Sequence, residues 1–460
     1  MKLVFTSNFI SNSPSTHNQI VNNDSTFVFR LHYYNKNNNS IITAPQHDMV
    51  RDVNVGIDKS ANQSILTFEK QNIEHVLSGK LLLRPLDFSG KEVSMSELSK
   101  YKNPSGVIQL AGANFYNAKL IGLSLQNINL KNANLTGADF TRSNLSDAIL
   151  TGANLTGADF TRSNLSNANL TGANLTNADL SKVESVSGVI IDLADFTNAN
   201  LMDINLSDVD FNGTNLTKTN LTNATLNNTT MSDAILHNTI LQNAKLNGAI
   251  FNNNQNIYDA NFSNANLYGA TFDLTNLNTV HLKGATFDEG TTFIGANFSN
   301  FDFSNVDLSP LHGGLQKAIL TNANLGYQNL ANKDLMGANF TGANLYRTSF
   351  SNSDLTGANF TGFDFSFIDV TNFNYTGVNF TNAKLVGKNL NDMDLTGADF
   401  SGTDLTGTTF LNADLTGANF TGFDFSNRNL SNNILTGVNF TNAKLVGKNL
   451  NDMDLTGINV

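Results

Sequence analysis

From Leu110 to Val460 an apolar residue returns at every fifth position. The run goes from Leu110 to Leu180, resumes one residue late at Val186 and continues to Phe251. Further late steps lead to Ile257 through Phe287 and to Phe293 through Leu308, and a two-residue slip leads to Leu315 and the unbroken remainder. Two residues before each apolar centre the side chain is usually small (Ala113, Ala138, Ala158, Ala338), and one before it is Asn or Asp (Asn114, Asp139, Asp159, Asn339). A helix repeats its faces every 3.6 residues and a strand every 2, so neither keeps a period of five on one side. Gly or Asn two residues after the centre (Gly137, Gly157, Asn177, Gly342) tolerates a positive φ and marks a tight turn in nearly every unit. One turn per pentapeptide, each bringing a centre inward, describes a coil with flat sides.

A second period sets the number of sides. Asn134 to Ser146 recurs word for word at Asn154 to Ser166, and Thr376 to Gly397 recurs at Thr436 to Gly457. Phe340, Phe360, Phe380, Phe400, Phe420 and Phe440 keep the same spacing as the first pair. Four pentapeptides per coil places those six rings in one column, with coils stacked at the spacing of paired strands, about 4.8 Å.

These residues resemble the pentapeptide-repeat family, whose motif is A-[DN]-L-x-x. The resemblance implies an all-β fold, a right-handed quadrilateral β-helix in which the centre and the small residue two before it point inward. Residues 106–460 then give about seventeen to eighteen coils and a rod on the order of 85 Å long. The interruptions, near Ser181 to Ser185, Asn252 to Asn256, Asp288 to Thr292 and Ser309 to Gly314, are bulges, too small to be the projecting loops that the resemblance associates with topoisomerase protection.

Residues 1–105 follow no such period. Short β-prone runs (Lys2 to Phe5, Thr26 to Tyr34, Val53 to Ile57, Ser64 to Phe68, Lys80 to Leu83) alternate with Asn- and Ser-rich turns and predict a small antiparallel sandwich. Ser94-Met95-Ser96-Glu97 reads as a capping box that opens a short helix to about Tyr101, placed to shield the first coil's edge.

Charge separates the two regions. Of the 27 Lys and Arg and 38 Asp and Glu, 11 and 9 fall before residue 106, so the acidity belongs to the repeats. The absence of cysteine rules out disulfides, cysteine nucleophiles and thiolate metal sites. The seven histidines (His17, His32, His47, His75, His237, His281, His312) have no ligand spacing, and no Walker loop, nucleophile elbow or H-E-x-x-H motif is present. Neither an enzyme nor a cofactor or metal is expected. No stretch reaches eighteen consecutive apolar residues, so no membrane span is expected. The polar first ten residues are unlike an ordinary signal peptide, which favours the cytoplasm while leaving export by another route open.

The least regular feature is a column of misfits. Gln328, Thr348, Ile368, Lys388, Thr408, Arg428 and Lys448 occupy the small inward position on one side, and the neighbouring side carries Lys333. An unpaired buried cation is costly, so the coil must widen or supply partners, and Asp392 and Asp452 lie four residues past two of the lysines. Gln328, Lys333, Lys388, Asp392, Arg428, Lys448 and Asp452 form a candidate interaction face. Leu455, Ile458 and Val460 end the sequence as an open coil edge and are a candidate dimer end, as in topoisomerase-binding members of the family.

Three functions fit. The first is a non-catalytic interaction scaffold whose front region chooses the partner. The second, implied by the resemblance, is an acidic DNA mimic acting on a type II topoisomerase rather than binding nucleic acid itself; against it, Asp one before the centre (Asp139, Asp159, Asp179, Asp364, Asp399) simply alternates with Asn. The third is an exported toxin or virulence component whose front region binds a host or cell-surface partner.

Overall fold

In a computed structural model of the chain the described residues are 4–7, 29–35, 40–43, 86–370, 374–426, 428–446 and 456. The chain divides into two compact units, Met1–Pro85 and Leu86–Val460.

In the first unit three strands, β1 (Val4–Ser7), β2 (Phe29–Asn35) and β3 (Ser40–Thr43), form an antiparallel sheet in that order. Val4 pairs with His32 and His32 with Thr43. The expected strands at residues 53–57, 64–68 and 80–83 lie outside the described residues.

The second unit is a four-sided parallel β-helix. Residues one before each centre bridge to the next coil, as Asn114 to Asn134, Asn134 to Asn154 and Asn154 to Asn174, each step one lap of four pentapeptides. Two bonds repeat on most faces. The centre's N–H donates to the next coil (Leu135 to Asn154 O, 2.7 Å), and the residue before the centre donates back (Asn154 N–H to Ala133 O, 2.9 Å). Most corners close with a turn from one centre to the residue three later (Ala138 N–H to Leu135 O, 3.0 Å). That turn needs a positive φ at its third position, supplied by Gly137 at +65° and Asn177 at +59°. At Gly137 a Cβ would approach only the end of the Asn117 side chain in the preceding coil, so the positive φ is what favours glycine there.

The Asn or Asp before each centre locks the same corner. Its Oδ1 accepts the N–H two residues on, as Asp139 from Thr141 (2.9 Å) and Asn154 from Thr156 (3.1 Å). Asn and Asp perform this task alike, so the turn itself does not demand charge.

Centres and small residues fill the bore. The phenylalanine column forms as expected: Phe340, Phe360, Phe380, Phe400, Phe420 and Phe440 stack with successive centroid separations of 4.9, 6.4, 5.3, 4.8 and 6.2 Å and interplanar angles no larger than 19°. The phase slips are bulges absorbed within one lap: bridges lengthen to Asn164–Ser185, Ile240–Asn261 and Thr271–Thr292, and to Asn297–Ile319 at the two-residue slip.

Residues 86–101 belong to this second unit. Asp87 and Glu92 bridge to Asn114 and Lys119, and Phe88 stacks on Phe115 at 4.6 Å. Helix α1 (Met95–Leu98) is capped by Ser94, whose side chain accepts from Glu97 N–H, and continues as a 3-10 turn through Ser99–Tyr101. Phe88, Val93 and Leu98 are buried in the common core, so this segment covers apolar side chains and ladder groups that the first coil would otherwise expose.

Candidate interaction face

The inward position two before each centre decides whether a face is smooth or irregular. Where it is Thr or Ser, the hydroxyl is buried and donates to a main-chain carbonyl, as Thr219 to Phe196 O (2.7 Å) and Thr403 to Phe380 O (2.6 Å). The misfit column follows the same logic with longer side chains. Gln328 Nε2 donates to Phe303 O and Val306 O (2.8 and 3.0 Å), Thr348 to Leu325 O, and Thr408 to Leu385 O. Lys388 Nζ donates to Ile368 O (2.8 Å) and Ser366 O (3.4 Å), and Arg428 Nη1 to Thr408 O (3.0 Å) while its guanidinium lies over Phe423. Ile368 is buried.

Carbonyls of the preceding coil therefore serve these side chains. Asp392, expected as a partner of Lys388, instead accepts from Asn412 in the next coil (2.9 Å). A lysine four residues away in a helix would be within reach, but here the pentapeptide turn sends position 392 outward at the next corner. Lys448, Asp452, Leu455, Ile458 and Val460 lie outside the described residues.

Among the described residues Lys333 is the most deeply buried cation, with 4% of its surface exposed. Its Nζ donates to Ser309 O (3.0 Å) and Leu311 O, two carbonyls released from the ladder by the two-residue slip. The lysine thereby plugs the bulge. Burial pushes its pKa below the usual lysine value, with Asp307 acting in the opposite direction.

Two surface features were not apparent in the repeat pattern. On one corner Tyr327, Tyr346 and Phe367 stand on successive coils with edge-to-face contacts of 5.5 and 5.7 Å, and the Arg347 guanidinium lies 5.9 and 5.4 Å from the two tyrosine rings. Tyr327 and Phe367 are 70% and 72% exposed. Their positions, one or two after a centre, are the outward ones, so spacing could have found them. On the face carrying Lys384 and Lys444, ion pairs join these to Asp364 (3.6 Å) and Asp424 (3.3 Å) one coil earlier. Ser426 hydrogen bonding, and then Lys444, lowers the Asp424 pKa to about 2.

The described residues contain no group of His, Asp and Glu arranged to hold a metal ion, and no helix among them is long and apolar enough to cross a membrane. What the arrangement offers is a long surface with local irregularities, set on a rigid bore.

Comparison with known proteins agrees with this architecture. The family described as pentapeptide repeats (8 copies) matches residues 108–147, 148–183, 191–228, 214–253, 256–289, 318–357, 376–412, 410–445 and 434–457. Similar solved structures include QnrB1, a plasmid-mediated fluoroquinolone resistance protein (19% identity, 44% of this chain and 89% of that chain, TM-score 0.23). Another is HetL, a pentapeptide repeat protein involved in heterocyst differentiation regulation from the cyanobacterium Nostoc sp. strain PCC 7120 (23% identity, 62% and 94%, TM-score 0.14). A third is a pentapeptide repeat protein of the Arabidopsis thaliana thylakoid lumen (28% identity, 31% and 68%, TM-score 0.09). Among curated proteins none matches this chain in sequence. With the family's repeats matched over more than half of its length and the four-sided ladder formed coil after coil, the chain belongs to the pentapeptide-repeat proteins.

Proposed function

We propose that this protein is a non-catalytic protein-binding scaffold, in which the repeat unit supplies a long rigid surface and the front unit selects partner or location. The observation that carries this reading is the corner formed by Tyr327, Tyr346, Arg347 and Phe367. Aromatic rings and arginine are the side chains that dominate protein interfaces, and here they are held exposed on successive coils while the Leu and Phe centres of the same coils fill the bore. Several inward-facing polar groups, Lys333 and Thr348 among them, are engaged with main-chain carbonyls, an arrangement suited to holding the coils in place.

Affinity capture from cells with the full chain, with residues 86–460 and with a Tyr327→Ala/Phe367→Ala variant tests it. The same partner should be retained by the full chain and lost or strongly reduced in the variant. Equal capture by both, or capture of nothing by either, overturns it.

A second reading, an acidic mimic of DNA directed at a type II topoisomerase, draws on Asp139, Asp159 and Asp179, which bridge one above another on a single face. Inhibition or protection of gyrase by the purified chain would favour it.

A further inference from the structure

The ladder that joins the coils is open beside the first phase slip. Among the described residues no main-chain hydrogen bond joins 185–193 to 205–212, although the other two faces of the same lap are paired through Asp195–Asn215 and Asn200–Asn220. On their far sides both walls are complete. Leu165 and Asn167 donate to Ser185 O and Ser187 O (both 2.8 Å), while Leu206 and Asp208 donate to Thr225 O and Asn227 O (both 2.9 Å). Facing each other across the gap are the unbonded N–H groups of Val186 and Gly188 and the unbonded carbonyls of Asn205 and Ser207.

The gap lies where the phase slip meets enlarged inward side chains. The inward small position on these two faces holds Val189 and Val209 in one column and Ile204 in the other, whereas the closed faces carry Ala194 with Thr214 and Ala199 with Thr219. Branched side chains stacked over one another in adjacent columns hold the coils apart. One enlarged column alone is tolerated: Ile108 and Ile128 share a column, and Leu110 N–H still reaches Asn129 O at 2.8 Å.

The result is a cleft of about 430 Å³ whose lining is mostly polar, with Val186, Ile204 and Leu206 among its apolar residues and Glu184, Asp203 and Asp208 as its charged ones. Its volume lies within the roughly 300–1,000 Å³ of ordinary ligand sites, enough for a few residues of extended chain and too small for a folded domain.

We propose that this slot docks a short extended peptide segment of another protein, one that carries Lys or Arg beside an apolar residue. Such a segment meets donors on one wall and acceptors on the other, the arrangement by which a strand adds to a sheet. Its apolar side chain meets the small exposed part of Val186, Ile204 and Leu206, and its cations face three carboxylates with no Lys, Arg or His among the lining residues. The proposal rests on the scaffold reading and gives it one site and one class of ligand.

The test uses the full chain with a capped heptapeptide of alternating Lys and Val, and its Glu–Val counterpart as control. In the free protein the amides of Val186 and Gly188 should exchange about a hundredfold faster than those of Leu165 and Asn167. The Lys–Val peptide should slow that exchange and bind at least about tenfold more tightly than the Glu–Val peptide. Val186→Pro removes a wall donor where no coil hydrogen bond is lost, so it should weaken peptide binding more than the control Val186→Ala, which gives up the same buried side chain and keeps the donor. Val189→Ala/Ile204→Ala/Val209→Ala restores small residues, and should close the slot, protect both amides and abolish binding. The proposal is overturned if the two amides are as protected in the free protein as Leu165 and Asn167. It is equally overturned if peptide binding leaves their exchange unchanged, which would mark general attraction to the acidic surface, or if binding survives in both variants. The two readings fail separately: an empty capture experiment ends the scaffold reading, whereas peptide binding and exchange judge the slot alone.

Discussion

The coils from Leu110 to Leu180 and those from Leu315 to Phe440 share a period and a ladder, yet differ in what occupies the inward small position. In the first stretch it is mostly Ala, with buried Ser143 and Ser163 donating to the carbonyls of Phe140 and Phe160. The main-chain bonds there run on from coil to coil, as from Leu135 to Asn154 and from Leu155 to Asn174. In the second stretch Ala alternates with Gln, Lys, Thr, Phe and Arg, and side chains replace main-chain donors at several carbonyls. Where Phe363 takes that position, no main-chain bond joins 345–347 to 364–366 among the described residues, and the exposed Tyr346 and Phe367 sit at that opening. Regular coils therefore maximise the ladder, whereas irregular coils give up part of it and gain surface features.

Four experiments would break or sharpen that contrast. The largest effect is expected from Phe360→Ala, which empties a place in the stacked aromatic column and should destabilise the repeat unit by about 3–5 kcal/mol in denaturant unfolding.

Lys333→Met should cost about 2–3 kcal/mol, because the carbonyls of Ser309 and Leu311 lose a buried charged donor. Thermal unfolding against Lys388→Met, at a more exposed site, would show whether burial sets the cost. The sign with pH is also fixed. Since the folded state lowers the Lys333 pKa from 10.5, the unfolded chain binds the proton more tightly, and this group's contribution to stability rises as the pH climbs from the folded pKa to the unfolded one.

Ala138→Val with Ala158→Val enlarges one column in the regular stretch, as Ile108 and Ile128 already do. Strain of roughly 1–2 kcal/mol is expected, with the Leu135-to-Asn154 bond retained. Enlarging the adjacent column too, through Ala133→Val and Ala153→Val, should open the ladder and unprotect the Leu135 amide in hydrogen exchange. A ladder that stays closed would refute side-chain size as the cause of the opening.

The smallest effect concerns Asp424. Ser426→Ala should raise its pKa from about 2 more than Lys444→Ala does, as followed by carboxyl titration in NMR. The stabilisation this depressed pKa supplies is present above the unfolded value and is lost as pH falls through the folded one.

The repeat carried most of the fold in its sequence because its signals are local and redundant. A centre such as Leu135, Ala133 behind it, Asn134 before it and Gly137 after it each specify the same corner, and the Phe340-to-Phe440 spacing alone requires four corners per lap. The segment 94–101 was equally clear, since a Ser94 cap and Glu97 act within one turn. The handedness of the coil came with the family resemblance and not from the pattern.

Tertiary structure decided matters that depend on which residues lie one lap apart. Lys388 could be marked as a misfit from its position, but its carbonyl partners Ser366 and Ile368 belong to the preceding coil, and the sequence-near Asp392 turns away at the next corner. Lys333 could be seen as out of place, but its fit to Ser309 and Leu311 depends on how the slip redirects two carbonyls. The slot at Val186 lies beside the first slip, where Val189 sits under Val209 and Ile204 enlarges the adjacent column, a coincidence visible only once the laps are stacked. The sequence by itself determined the period, the square lap and the apolar bore, because each pentapeptide carries its own turn; only the stacked structure decided where the laps seal and where they part, because that balance is struck between side chains twenty residues distant in the chain and neighbours in space.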